Sequence, residues 1–198
     1  MPSLDAGGGE ESLINLLATI DYAVYDVDLI LFFKSGLFLD LVPSPVTVIE
    51  LLSFNRTLLG DLKYSLTTGR FRYFFDRLVF TFKNRFSKNT ALVEQQNWRY
   101  VRDSFPKVTT SYAAAISFLE KSSTYFVVDC LTADCKIGWV HTTYSQSGMS
   151  ATFDAPYFAQ LDAVVAVSAA CQQDLQQQFP ALHSKIHLIQ IGRASCRE

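Results

Sequence analysis

The chain has 198 residues, 49% of them hydrophobic and 18% charged, which is enough to bury one sizeable core. Its 17 basic and 19 acidic residues give a net charge of −2, which excludes a general electrostatic attraction to nucleic acid. No apolar run reaches the roughly 18 residues of a membrane-spanning helix, and no signal peptide precedes the first predicted element. We therefore expect a cytoplasmic α/β protein.

The first predicted element is a helix that follows a glycine-rich turn. The turn consists of Gly7, Gly8, Gly9 and Glu10, and apolar residues then recur at helical spacing up to residue 20. Free N–H groups at the start of a helix suit a phosphate or a carboxylate. The turn lacks the GxGxxG and GK[ST] spacings of nucleotide-binding motifs, so a flexible turn without a ligand is the alternative.

A strand should precede such a turn in a doubly wound domain. We therefore expect the first strand to be missing or reduced to a stub, with Met1 as an internal methionine. Buried strands are predicted within residues 24–33 and 42–51, the second after two prolines. Helices are predicted around residues 56–65, 70–86 and 90–104.

Residues 70–88 combine six basic side chains with seven aromatic ones and a single acid. The basic residues are Arg70, Arg72, Arg77, Lys83, Arg85 and Lys88. This composition is typical of a helix that lies on an anionic lipid surface. A helix packed on the sheet, with its arginines reaching water, is the slightly favoured explanation, because the aromatic residues are not confined to one face. Binding of single-stranded nucleic acid is the third and least favoured use, because the rest of the chain is acidic.

The second half of the chain continues the alternation of strands and helices. A strand is predicted over residues 111–120, and a helix is predicted to follow with Thr124 as its N-cap. Apolar runs at residues 137–140 and 163–167 predict buried parallel strands, separated by a polar loop over residues 142–158. A short helix before Pro180 and a strand over residues 185–190 complete six visible strands and one inferred strand.

Two polar residues follow the central strands, His141 after the first and Ser168 after the second. In an open α/β sheet, ligands bind beyond the carboxyl ends of the strands. These two residues are therefore candidate site residues. A strand-end histidine that is simply satisfied by hydrogen bonds is the alternative for His141.

The chain lacks a recognisable metal motif. Its four cysteines form CLTADC and two single positions, without the paired CxxC of a zinc site. We predict buried thiols and no bound metal.

Three blocks together resemble the N-terminal domain of glycosyltransferase family 4 enzymes. They are GGGE at a helix start, KIGWVH-T-x-Y at a strand end, and YFAQLDAVVAVS followed by a short helix, FP and KIHLIQ. The resemblance covers residues 2–190. It is narrower to the bacterial members that build capsular, exopolysaccharide or other cell-surface glycans.

The resemblance implies the N-terminal half of a GT-B fold: a Rossmann-like, doubly wound, mostly parallel sheet over residues 1–190. It implies retaining, metal-independent transfer of a sugar from a nucleotide-sugar donor to a glycan or lipid-linked acceptor, without a further cofactor. In such enzymes a second domain, absent from this sequence, holds the nucleotide sugar. The enzyme would be cytoplasmic, with peripheral contact to the inner face of the plasma membrane through residues 70–88.

The resemblance also assigns roles to single residues. The glycine turn, Gly7 to Glu10, would lie beside the donor diphosphate or the acceptor, together with Ser168. His141 would be the catalytic residue, near the donor sugar and phosphate. The family often has an acidic residue in the strand where Ala113 stands here, so a role at that position is in doubt.

Two other functions stay open at this point. One is a nucleotide-sugar epimerase of the same architecture, and the other is a non-catalytic carbohydrate- or nucleotide-binding module. Residues 191–198, IGRASCRE, correspond to one reading frame of a sequencing-library adapter, and we expect them to be an artefact.

Overall fold

The computed structural model describes residues 1–51, 89–102 and 105–191 as an α/β fold with parallel strands. The helices are Gly8–Leu17 (α1), Thr90–Val101 (α2), Ser122–Cys130 (α3), Ala151–Phe158 (α4) and Ala169–Gln178 (α5). The strands are Asp28–Leu31 (β1), Thr47–Glu50 (β2), Ser111–Ser117 (β3), Thr132–Val140 (β4), Ala163–Ala166 (β5) and Ile186–Leu188 (β6). Short 3₁₀ turns occur at Leu39–Leu41, Tyr144–Gln146 and Pro180–Lys185.

The described strands form two parallel sheets. β1 pairs with β2, and the larger sheet has the order β3-β4-β5-β6. Parallel neighbours need a crossover connection, and α3, α4 and α5 provide the three crossovers of the larger sheet. The carboxyl ends of β4 and β5 lie side by side because Val140 pairs with Ala166. The expected Rossmann-like, mostly parallel architecture is confirmed.

Helix α1 packs against both sheets. Its buried residues Leu13 and Leu17 share one apolar cluster with Leu31 of β1, Trp139 of β4 and Val165 of β5. Burying a leucine or a valine contributes roughly 1.5–3 kcal/mol each. The cluster therefore fixes the start of α1 relative to the ends of the central strands.

The first residues of the chain run alongside β1. The amino group of Met1 donates to the carbonyl of Ile30 at 2.8 Å, and the N–H of Phe32 donates to the carbonyl of Met1 at 2.9 Å. This pattern places Met1 beside Leu31 in a parallel register. Leu4 then enters the apolar cluster beneath α1 and is fully buried.

Two predicted local structures are wrong. Thr124 is not an N-cap, because α3 begins at Ser122 and the Thr124 side chain bonds within the core to Ser117 and to the carbonyl of Leu119. The stretch after His141 is not a loop throughout, because Ala151–Phe158 is helical. Ser150 caps that helix by accepting a hydrogen bond from the N–H of Phe153.

Several predictions fall outside the described residues. They are the helices around residues 56–65 and 70–86, the six basic residues from Arg70 to Lys88, and all but the first residue of the expected artefact. Within the described ranges, none of the helices is both long and apolar enough to cross a membrane.

Candidate functional site

The site begins at the glycine turn, where α1 starts at Gly8, so that Gly8, Gly9 and Glu10 belong to the helix and not to the predicted turn before it. Gly7 is the N-cap and has no side chain with which to bond the first-turn N–H groups. The two glycines that follow differ in their surroundings. A Cβ atom on Gly8 would meet nothing within 4 Å, whereas one on Gly9 would come within 2.9 Å of the Leu119 side chain. The backbone of α1 at Gly9 therefore lies against the loop after β3, and a larger residue at this position would have to displace the end of the Leu119 side chain.

The same close approach brings His141 to the start of α1. A Cβ atom on Gly9 would lie 3.8 Å from Nδ1 of His141. The imidazole packs against Phe118 with ring centroids 5.1 Å apart, and the backbone N–H of His141 donates to Glu120 at 3.3 Å. Two candidates that are 132 positions apart in the sequence, Gly9 and His141, therefore meet at the carboxyl edge of the sheet.

The His141 ring has one nitrogen without a partner. Its Nε2 atom is buried and makes no hydrogen bond with any described residue. Leaving a buried polar atom unpaired costs about 1–3 kcal/mol. The expectation of a histidine fully satisfied by hydrogen bonds is therefore not met by the described residues.

Burial lowers the pKa of His141 below its ordinary value of 6.5. The carboxylates of Glu120 and Glu10, and a hydrogen bond with the backbone of Phe118, act in the opposite direction but do not outweigh burial. The ring is therefore neutral at pH 7. A neutral ring that donates from Nδ1 to a carbonyl keeps Nε2 as an acceptor for an O–H group.

Among the described residues, the charged groups that act on His141 are the carboxylates of Glu120 and Glu10. Glu10 and Glu11 lie in the first turn of α1, and Glu10 folds back over Gly7. Glu120 holds the backbone of His141, while its neighbour Lys121 pairs with Glu94 at 2.6 Å. Carboxylates accept hydrogen bonds from hydroxyl groups and repel phosphate. This part of the edge is therefore better suited to a polyhydroxyl ligand than to a diphosphate.

Ser168 has a structural task at the same edge. It is the N-cap of α5, and its hydroxyl accepts a hydrogen bond from the N–H of Cys171 at 3.2 Å. It lies two residues beyond the end of β5, the strand that pairs with β4, and His141 directly follows β4. The hydroxyl keeps its own proton for donation to a ligand.

Glu120 is a site residue that the sequence analysis did not select. It follows β3 closely at the same edge as His141. Glu120 was the last residue of the predicted strand, whereas β3 ends at Ser117, so its place beyond the strand end was not apparent from the sequence.

A second polar group is buried in helix α4. Asp154 of α4 is 1% exposed and accepts hydrogen bonds from the hydroxyls of Tyr125 and Tyr144, the latter at 2.6 Å. Burial raises the pKa of Asp154, although the two tyrosine bonds and Gln95 lower it. We call Asp154, Tyr125, Tyr144 and Gln95 the Asp154 cluster. Because it is closed to solvent, we interpret it as a structural link between helices.

Metal ligands do not converge in the described ranges, where no group of three or more His, Cys, Asp or Glu side chains is arranged to hold an ion. A scan against protein-family models found no matching family, and searches of curated proteins and of solved structures found no match.

Proposed function

We propose that the chain is the acceptor-side domain of a retaining, metal-independent glycosyltransferase. It would take part in moving a sugar from a nucleotide-sugar donor to a cell-surface glycan or a lipid-linked acceptor. The observation that carries the proposal is the meeting of Gly9 and His141 at the carboxyl edge of a parallel sheet, with Nε2 of His141 unpaired. The resemblance of the WVH and LDAVVAVS blocks adds independent support.

The proposed task of this edge is to bind sugar hydroxyls. Neutral His141 offers an acceptor nitrogen, Glu120 and Glu10 offer carboxylate oxygens, and the first turn of α1 offers N–H groups. Nε2 is covered at present, so the ligand must displace the covering side chains before it reaches the ring. A contact of this kind speeds transfer only if it strengthens as the glycosidic bond breaks.

The proposed donor site needs a second wall. The positive charge that stabilises a departing diphosphate would come from a nucleotide-binding domain facing this edge. The 198-residue chain alone should then show no sugar transfer, because one of the two domains cannot assemble the transition-state contacts by itself. Sugar transfer by the purified chain would contradict the two-domain proposal.

The deciding experiment uses the enzyme that contains this domain. Radiolabelled UDP-glucose, UDP-galactose, UDP-N-acetylglucosamine and GDP-mannose are offered with membrane extract as acceptor, and label is counted in lipid and polymer fractions. Replacing His141 with Ala should lower kcat by about 100-fold or more, while His187→Ala, at an exposed position on β6, serves as the matched control.

Three outcomes oppose the proposal. Conversion of the labelled nucleotide sugar into a different free nucleotide sugar identifies an epimerase. Absence of any turnover favours a binding module. A His141→Ala enzyme with a lowered thermal midpoint and near-normal kcat would show that the histidine only supports the fold. The thermal midpoint is therefore measured on the same preparations as kcat.

A further inference from the structure

The turn between β3 and α3 is strained at Lys121. Among the residues that the structure describes, Lys121 is the one non-glycine residue with a positive φ, and its angles are φ 61° and ψ −124°. This combination is that of the first central position of a type II′ turn, which glycine dominates because a Cβ atom is crowded by the backbone there. A lysine therefore needs other contacts to hold it in this conformation.

One carboxylate supplies these contacts. Glu94 of α2 accepts a hydrogen bond from the Lys121 ammonium group at 2.6 Å with one oxygen, and from the Ser122 hydroxyl at 2.8 Å with the other. We call Glu94, Lys121 and Ser122 the Glu94 cluster. The side chains of Lys121 and Glu94 are 30% and 35% exposed, so water screens the ion pair only in part. Glu94 thus holds both the strained residue and the first residue of α3.

Helix α2 gives Glu94 a fixed position. The next residue, Gln95, accepts a hydrogen bond from the backbone N–H of Ser150 at 2.7 Å and donates to its carbonyl at 3.3 Å. One turn further along α2, the buried Trp98 donates its indole N–H to Asp129 at 2.7 Å. The Glu94 carboxylate is therefore presented to the turn from a helix that is anchored on either side of it.

The residue before the strained one is Glu120, whose carboxylate accepts a hydrogen bond from the backbone N–H of His141 at 3.3 Å. The chain is fixed on both sides of this turn. Phe118 is buried at the end of β3, and the buried Tyr125 of α3 donates its N–H to the carbonyl of Lys121 at 3.0 Å. Rotation about the N–Cα bond of Lys121 would consequently move Glu120 and leave the strand and the helix in place. The position of Glu120 at His141 thus depends on the strained φ of Lys121.

We propose that Glu94 is a positioning residue for His141: it holds Lys121 in the strained conformation and thereby keeps the Glu120 carboxylate on the backbone of His141. The effect of Glu94 on sugar transfer rests on the proposed function, whereas its effect on the His141 backbone does not. A merely stabilising ion pair is the alternative. Such a pair would leave the surroundings of His141 unchanged when it is broken.

The test asks whether glycine at position 121 makes the ion pair unnecessary. Glu94→Gln removes the charge and keeps the size of the side chain. The double variant Glu94→Gln with Lys121→Gly lacks the ion pair as well, but glycine adopts a positive φ without strain. Glu50→Gln, at the end of β2, is the matched control, because its carboxylate likewise accepts a backbone hydrogen bond, from the N–H of Lys34 at 2.9 Å.

Two measurements on the 198-residue chain report on His141 directly. In Glu94→Gln, hydrogen exchange at the His141 amide should become about tenfold or more faster, since its acceptor moves away. The pKa of His141, followed by NMR titration, should fall further below its ordinary value, because burial lowers it and the charge of Glu120 raises it. Glu10, the other carboxylate that acts on the ring, is present in every variant. The double variant and Glu50→Gln should match the parent chain in both measurements.

A second pair of variants isolates the strain. Lys121→Gly and Lys121→Ala both lose the ion pair with Glu94, and they differ in their tolerance of a positive φ. The thermal midpoint of the glycine variant should be at least about 2 °C above that of the alanine variant. Glycine is the less stable of the two in the middle of a helix or strand, so this order is specific to a position that requires a positive φ.

The consequence for catalysis is measured in the enzyme that contains this domain. Glu94→Gln should lower kcat by about tenfold, because a misplaced Glu120 no longer fixes His141. The double variant with Lys121→Gly should restore kcat to within about threefold of the parent. Absence of transfer by the parent enzyme would contradict the proposed function alone, since exchange at the His141 amide decides the role of Glu94 by itself.

Three results overturn the inference. The first is unchanged exchange at the His141 amide in Glu94→Gln, and the second is a double variant that behaves like Glu94→Gln. The third is an alanine variant at position 121 that is as stable as the glycine variant. If Glu94→Gln does not fold, Lys121→Ala and Lys121→Gly provide the same comparison of exchange at His141, and equal exchange in the two variants would reject the role of the strained turn.

Discussion

Removing one hydroxyl from the Asp154 cluster should destabilise the protein measurably. Asp154 lies 1% exposed between α3 and the 3₁₀ turn after β4, and the Tyr125 and Tyr144 hydroxyls each bind a different carboxylate oxygen. The variant Tyr125→Phe keeps the ring and its contacts with Trp98 but removes one of these two donors. The loss in free energy of unfolding therefore measures the hydrogen bond and not the packing of the ring.

Hydrogen bonds to charged groups contribute about 1.5–3 kcal/mol, at the upper end of the range for proteins. We expect Tyr125→Phe to lower the free energy of unfolding by about 2 kcal/mol at pH 8. For a chain of this length, that corresponds to a fall in Tm of about 4–8 °C. Urea unfolding followed by circular dichroism measures the free energy directly.

The pH dependence gives a sharper test than the magnitude. Burial raises the pKa of Asp154, so the ionised carboxylate costs stability above that pKa, and the cost is relieved as the pH falls through it. Loss of the Tyr125 donor removes an interaction that favours the ionised form, so the pKa rises further in the variant. The difference between variant and parent should consequently shrink as the pH falls through the pKa of Asp154.

Tyr157→Phe is the matched control. The Tyr157 hydroxyl lies 3.4 Å from Asp129 in an exposed contact, so its loss should cost less than about 0.5 kcal/mol. A Tyr125→Phe deficit that stays constant from pH 8 down to the onset of acid unfolding, or is no larger than that of Tyr157→Phe, would refute the assignment of Asp154 as a buried, hydrogen-bonded carboxylate.

Three further outcomes are expected. Burial lowers the pKa of the Met1 amino group from 8.0 to about 5. The free energy of unfolding should therefore fall by about 3 kcal/mol from pH 8 to pH 5, because over this range the unfolded state takes up a proton that the folded state takes up only near pH 5; acetylation of the amine should abolish this slope. Gly36→Ala should lower the free energy of unfolding by about 2 kcal/mol or more, because Gly36 has φ +122° and an added Cβ would overlap the backbone of Leu4. Gly8→Ala is its control: a Cβ there meets open space, so the same calorimetric measurement should show unchanged or increased stability. If residues 70–88 contact lipid, the double variant Arg72→Glu with Arg85→Glu should bind anionic vesicles more than tenfold more weakly, and added salt should weaken binding of the parent chain. Binding that changes neither with the substitutions nor with salt would favour a packed helix.

The carboxyl ends of β4 and β5 followed from the sequence to within one residue, because buried parallel strands are continuous apolar runs. Both runs end at polar residues, so the placement of His141 and Ser168 at one edge required only the rule for parallel sheets. The closeness of Gly9 to His141 did not follow from any local pattern, since it depends on how α1 packs across both sheets.

The errors have physical causes. Thr124 has a side chain suited to capping, but α3 begins two residues earlier, after Lys121. Lys121 adopts φ 61°, a conformation that is rare for lysine and cannot be predicted from the sequence. Helix α4 was missed because Pro156 and polar neighbours obscure its pattern, although Pro156 stands near the end of the helix. Asp154 gave no signal, because its burial depends on two tyrosines from distant elements.

The order of the larger sheet has a consequence for how the protein is made. β3, β4, β5 and β6 are neighbours in space in the same order in which a ribosome delivers them. Each new strand therefore adds to the exposed edge of the one before, as soon as its crossover helix has left the exit tunnel. The paired residues of neighbouring strands in the larger sheet are about 21–26 positions apart in the sequence, as in Ser111 with Thr132 and Ile137 with Ala163. Synthesis from the amino end thus matches the direction in which this sheet grows, and refolding of the complete chain from denaturant, which lacks that order, should be the slower process.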